Sequence, residues 1–108
     1  MNNQKKITPR CPIRTTLEML GGKWRLLIIG EIGKGQVRYG ELKRAIPDIS
    51  EKMLVQELKN LMENDLVDRK NFGEVPPRVE YSLTDKGMKA LALIEPIRDF
   101  GLEYMQDI

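Results

Sequence analysis

The 108-residue chain has no histidine and a single cysteine, Cys11. Without histidine, neither a His-based acid–base pair nor a His-containing zinc cluster can be assembled. One thiol can neither hold a metal alone nor close a disulfide within the chain, which fits a reducing cytoplasm. Long apolar runs are also missing. Stretches such as "LLII" at 26–29 fall far short of the roughly 20 residues a membrane span needs. The N-terminal "MNNQKKITPR" lacks the apolar segment of a secretory signal. Nor is there a glycine-rich phosphate loop, because "GGK" and "GKG" lack the spacing and the trailing Ser or Thr. These gaps exclude most catalytic chemistry. The expectation is a non-enzymatic protein with no metal or other cofactor and no membrane partner.

What is present is charge, unevenly placed. Residues 1–25 hold Lys5, Lys6, Arg10, Arg14, Lys23 and Arg25 against Glu18 alone. Residues 90–108 hold Glu95, Asp99, Glu103 and Asp107 against Arg98. A basic end suits a polyanion or an acidic surface, although Lys5 and Lys6 fit a solvated tail equally well. With 41% hydrophobic and 31% charged residues, the chain reads as one globular domain. We divide it into a flexible basic segment, 1–9, and a domain, 10–108.

Helical signals open the domain. Pro12 suits the first position of a helix, and Ile13, Leu17 and Leu20 then share one face until the glycines at 21–22 stop it. A second helix is expected over about Trp24–Ile32, with "LLII" buried on most sides. A weak strand at Val37–Tyr39 precedes a short helix, 39–46, that closes at Pro47. Ser50 can cap a longer helix from Glu51 to about Asn64. Leu54, Leu58, Leu61 and Met62 form its core stripe, with Lys52, Gln56, Lys59 and Glu63 opposite. Helix, tight turn, helix is the helix-turn-helix arrangement.

Two strand-like runs follow, 66–72 and 78–83, flanking "GEVPP". A ribbon directly after a helix-turn-helix is a wing. Thr84 can cap a helix from Asp85 to about Ile94, and a last helix starts near Pro96. It carries Ile97, Phe100, Gly101, Tyr104 and Ile108 at three- and four-residue spacing. The expected fold is mostly α with a small β-ribbon, a winged helix-turn-helix with extra terminal helices.

On this fold Lys52, Gln56 and Lys59 line one helix face with phosphate-seeking and base-reading groups. Ser50 and the N–H groups behind it suit a phosphate. Lys70 and Arg78 on the ribbon can reach the backbone or the flanking minor groove. The plainer reading is a solvated helix face. Ile13, Leu17, Ile97, Phe100 and Tyr104 exceed what one small domain buries, which points to a homodimer.

The segments "CPIRTTLEMLGGKWRLLIIGEI", "VRYGELKRAIPDISEKMLVQELKNLMENDLVDR" and "EVPPRVEYSLTDKG" resemble the HxlR-type family of bacterial winged-helix regulators, and MarR-type regulators more distantly. The resemblance covers residues 10–105. It implies a cytoplasmic homodimer on double-stranded DNA, with a recognition helix at 50–63 and Ser50, Lys52, Gln56 and Lys59 as DNA contacts. It also implies backbone contacts from Arg38 and Tyr39 and a wing contact from Arg78. Asp48 and Phe100 depart from the family's usual glycine and tryptophan. Some members carry a sensing cysteine near Cys11, so a small oxidant or electrophile is the implied effector. An inert, packed thiol is the other reading. Two function classes stand at this point: a regulator on a palindromic operator, and a winged-helix module that binds proteins.

Overall fold

The computed structural model describes residues 11–105; the basic segment 1–9, Arg10, Asp107 and Ile108 lie outside them. The chain runs through α1 (Pro12–Leu20), α2 (Arg25–Ile32), α3 (Tyr39–Ala45), α4 (Glu51–Glu63), β1 (Val67–Asn71), β2 (Val79–Leu83), α5 (Asp85–Leu91) and α6 (Ile94–Met105). Three helix starts are set by local chemistry. Pro12 begins α1, where its missing N–H leaves no broken bond. The Ser50 and Thr84 hydroxyls accept from the Met53 and Gly87 N–H groups at 3.0 and 2.9 Å, capping α4 and α5.

The core is an aliphatic cluster shared by α2, α3, α4 and the ribbon. Ile28, Ile29, Ile32, Leu42, Leu54, Leu58, Leu61 and Leu66 are all but inaccessible to solvent. Periodicity explains the contribution of α4, because positions 54, 58 and 61 fall on one helical stripe. Ile46 and Ile49 are buried as well, anchoring the turn between α3 and α4 from below. Burial of these two fixes the angle of the helix-turn-helix. "LLII" is less enclosed than expected: Leu27 is exposed because α2 meets its neighbours on one side only.

Strands β1 and β2 pair antiparallel, with Val67 opposite Leu83 and Asn71 opposite Val79. The alternation puts Val67, Tyr81 and Leu83 toward the core and Lys70, Phe72, Arg78 and Glu80 outward. The strand expected at Val37–Tyr39 is reduced to one bridge, Val37 to Tyr81, closed by bonds of 3.0 and 2.7 Å. Arg38 already caps α3, which leaves a single residue free to pair. The helix expected over 85–94 ends at Leu91, and α6 begins at Ile94 rather than Pro96. Pro96 lacks an N–H and its ring would meet the Ala92 carbonyl, so one continuous helix is impossible. As the third residue of α6, it sits where N–H groups have no helical partner anyway.

Candidate nucleic-acid interface

Helix α4 projects an amphipathic face away from the core. Lys52, Gln56 and Lys59 are exposed on it, with the branched Val55 beside them. None of the three polar side chains has a hydrogen bond or ion pair to another described residue. Three other cations do have acidic partners: Arg25 with Glu57, Lys34 with Glu31, Arg78 with Glu74. The face therefore offers unpaired positive charge and amide groups along about two turns of one helix.

The elements around α4 hold its start. Arg38 is exposed, and its backbone N–H donates to the Glu41 carboxylate at 2.8 Å, fixing the entry to α3. Tyr39 is half-buried, and its hydroxyl donates to the Glu51 carbonyl at a long 3.4 Å. Burial, with Glu51 and Tyr81 adding, raises this phenol above its ordinary pKa, so it remains a neutral donor. Tyr39 thus braces the first turn of α4 from α3. Ser50 presents its hydroxyl to Met53, and its oxygen is already occupied as a cap.

As expected for the ribbon, Arg78 sits at the base of the loop, where its carbonyl accepts from Phe72 N–H at 2.9 Å. Its guanidinium stacks 3.8 Å from the Phe72 ring centroid and pairs with Glu74 at 3.0 Å and Glu80 at 3.6 Å. Lys70 approaches the same ring at 4.9 Å. Phe72 is the residue that sequence reasoning passed over. Hairpin register could have exposed it, because positions 72 and 78 flank the loop symmetrically. Gly73 turns the chain there with φ of +68°, and its N–H donates to the Asn71 side chain.

Helices α1 and α6 carry the apolar residues expected at an interface. Phe100 is 75% and Ile13 73% exposed, with Leu17, Ile97 and Tyr104 also exposed. No residue of α6 is buried against the other described residues. Cys11 caps α1, half-exposed, with its Sγ accepting from the Arg14 backbone N–H at 3.5 Å.

Known proteins share this arrangement. Residues 19–108 match the family model described as HxlR-like helix-turn-helix. YdzF, an uncharacterized HTH-type transcriptional regulator of Bacillus subtilis strain 168, is 42% identical over 94 residues, 86% of each chain. A solved structure from Porphyromonas gingivalis W83, assigned to the MarR family of transcriptional regulators, has a TM-score of 0.83 at 54% identity. It covers 89% of this chain and 94% of its own. The oxidized form of the redox regulator HypR has a TM-score of 0.81 at 33% identity, over 86% of this chain and 96% of that one.

Proposed function

Because the chain belongs to the HxlR-like helix-turn-helix family of transcription regulators, we propose that it binds a palindromic operator as a homodimer. Helix α4 reads the major groove and the ribbon pins orientation. The observation that carries this is the unpaired Lys52–Gln56–Lys59 face set directly opposite the buried leucines of α4. A glutamine there can pair with an adenine edge and a lysine with guanine, while phosphates take the remaining charge. Arg38 and Tyr39 approach the backbone from α3. Lys70 and Arg78 serve the wing, where a phosphate oxygen replaces Glu74 as the partner of a guanidinium already oriented by Phe72. Selection from a randomised duplex pool tests the reading. A two-fold site with half-sites about one helical turn apart is expected, and no enrichment would favour the protein-binding module.

The dimer seam is the exposed apolar surface of α1 and α6. Ile13, Leu17, Ile97, Phe100 and Tyr104 form it, because a lone domain does not leave so many large apolar groups in water. Phe100→Asp is expected to convert the dimer to monomer in sedimentation velocity while far-ultraviolet circular dichroism stays unchanged. A charged dimer would remove α6 from the seam.

Cys11 supports a second element of the reading. Its sulfur is half-exposed at a helix N-terminus, and HypR, a redox regulator, has the same fold. Oxidation by diamide would join two Cys11 thiols, one from each protomer, with both electrons and both protons going to the diamide. An electrophile would instead alkylate the sulfur. Cys11→Ser should leave operator affinity intact and abolish the response to both reagents. A response that persists in the variant would make Cys11 a packing residue.

A further inference from the structure

Arg25 opens α2, and its guanidinium reaches two other helices. Nε donates to Glu57 Oε1 on α4 at 2.7 Å. Nη1 donates to the carbonyls of Glu18 and Met19 at 2.9 and 3.3 Å. Both carbonyls belong to the last turn of α1, where they lack helical partners and carry partial negative charge. The Arg25 and Glu57 side chains are only 20% and 14% exposed, so solvent screens the pair weakly. Glu57 lies on the flank of α4 turned from the reading face, since neighbouring positions on a helix differ by about 100°.

Among the described residues, α1 is anchored in the core at its C-terminal end only, where Leu20 is buried and Met19 packs partly buried against the same cluster. Gly21 and Gly22 link α1 to α2, with Gly22 at φ of +94° and open space around it. Two glycines make a pliable joint. The fork of a single arginine spans that joint and bonds both sides of it, which a lysine's single point of charge cannot do.

We propose that Arg25 is a positioning residue that sets the angle between α1 and α4, and so the separation of the two reading helices in the dimer. This rests on the operator and α1–α6 seam readings above. If α1 lies in the seam, its angle to α4 is the angle of each reading helix to the two-fold axis. The lever is short and sensitive. Over about 20 Å, roughly the length of α4, a 10° swing moves a reading side chain by about 3.5 Å, close to one base step.

The test uses Arg25→Met, which keeps the aliphatic stem, and Glu57→Gln, which keeps an acceptor without the charge. Both are measured on the duplex selected by the unaltered protein and on versions with the spacer lengthened or shortened by one base pair. The unaltered protein is expected to lose about 30-fold or more on either spacer change, and Arg25→Met less than about 3-fold, with base preference inside each half-site retained. Glu57→Gln should fall between them, and it decides the question if Arg25→Met does not fold. A parallel loss on all three duplexes, with spacer discrimination intact, would mean that the bridge only stabilises the fold and would overturn the proposal. A separate failure is also visible: if the unaltered protein selects isolated half-sites or sediments as a monomer, the operator reading falls first.

Discussion

Alanine at both Lys52 and Lys59 should lower affinity for the selected duplex by about three orders of magnitude. Each dimer loses four cations, and at about 1 kcal/mol per contact the sum is near 4 kcal/mol. The two lysines are exposed and have no acidic partner among the described residues, so removing them leaves no orphaned carboxylate in the free protein. The loss should therefore appear in binding and not in thermal stability. Salt dependence separates the roles. Cations that displace counterions each contribute about −0.9 to the slope of log affinity against log salt, so the variant's slope should be shallower by roughly 3 to 4. An unchanged slope would move these lysines off the phosphates. Gln56→Ala alone should cost about 1–3 kcal/mol at one base position per half-site and leave the slope intact.

Gly87→Ala should destabilise the fold by about 3 kcal/mol or more, a large share of the roughly 5–15 kcal/mol typical of such a domain. Gly87 is buried in α5, and a β-carbon there would run into the Leu66 carbonyl oxygen and crowd the Leu83 side chain. That carbonyl cannot retreat, because it accepts from Thr84 N–H at 3.1 Å and leads into β1. Thr84 also donates its hydroxyl to the Asp65 carbonyl at 2.7 Å, so one small corner joins α4, the wing and α5. Relief of the clash would push α5 off the ribbon. Thermal denaturation should show the midpoint falling by more than about 10 °C. Gly40→Ala is the control: its added β-carbon would meet the Arg44 guanidinium at an ordinary 3.5 Å, and a helical Gly→Ala change gains about 0.5–1 kcal/mol. A midpoint in Gly87→Ala equal to that of the unaltered protein would mean that α5 and β1 are less closely packed than this corner implies.

In the wing, the phenyl ring of Phe72 and two glutamates hold the Arg78 guanidinium at the base of the loop. A guanidinium stacked and oriented before binding loses less side-chain freedom on docking. For the proposed wing contact, a phosphate would have to displace Glu74.

The sequence alone determined whatever depends on neighbours within about four residues. Pro12, Ser50 and Thr84 start helices, the 54–58–61 stripe turns α4 inward, and alternation over 78–83 sets the faces of β2. Those choices follow from backbone hydrogen bonding and helical or strand period, which a single chain displays openly. The exposed Lys52–Gln56–Lys59 face of α4 was legible for the same reason, being the other side of that stripe. Contacts between distant residues were not. Arg25 and Glu57 are 32 positions apart, and each looks like an ordinary surface charge until α2 is laid against α4. Gly87 reads as an indifferent helical glycine until Leu66 is brought onto it. Arg78 reads as a free cation until the hairpin closes around Phe72. Tertiary structure decided these because packing depends on which surfaces meet, and that is settled only when the whole core closes at once.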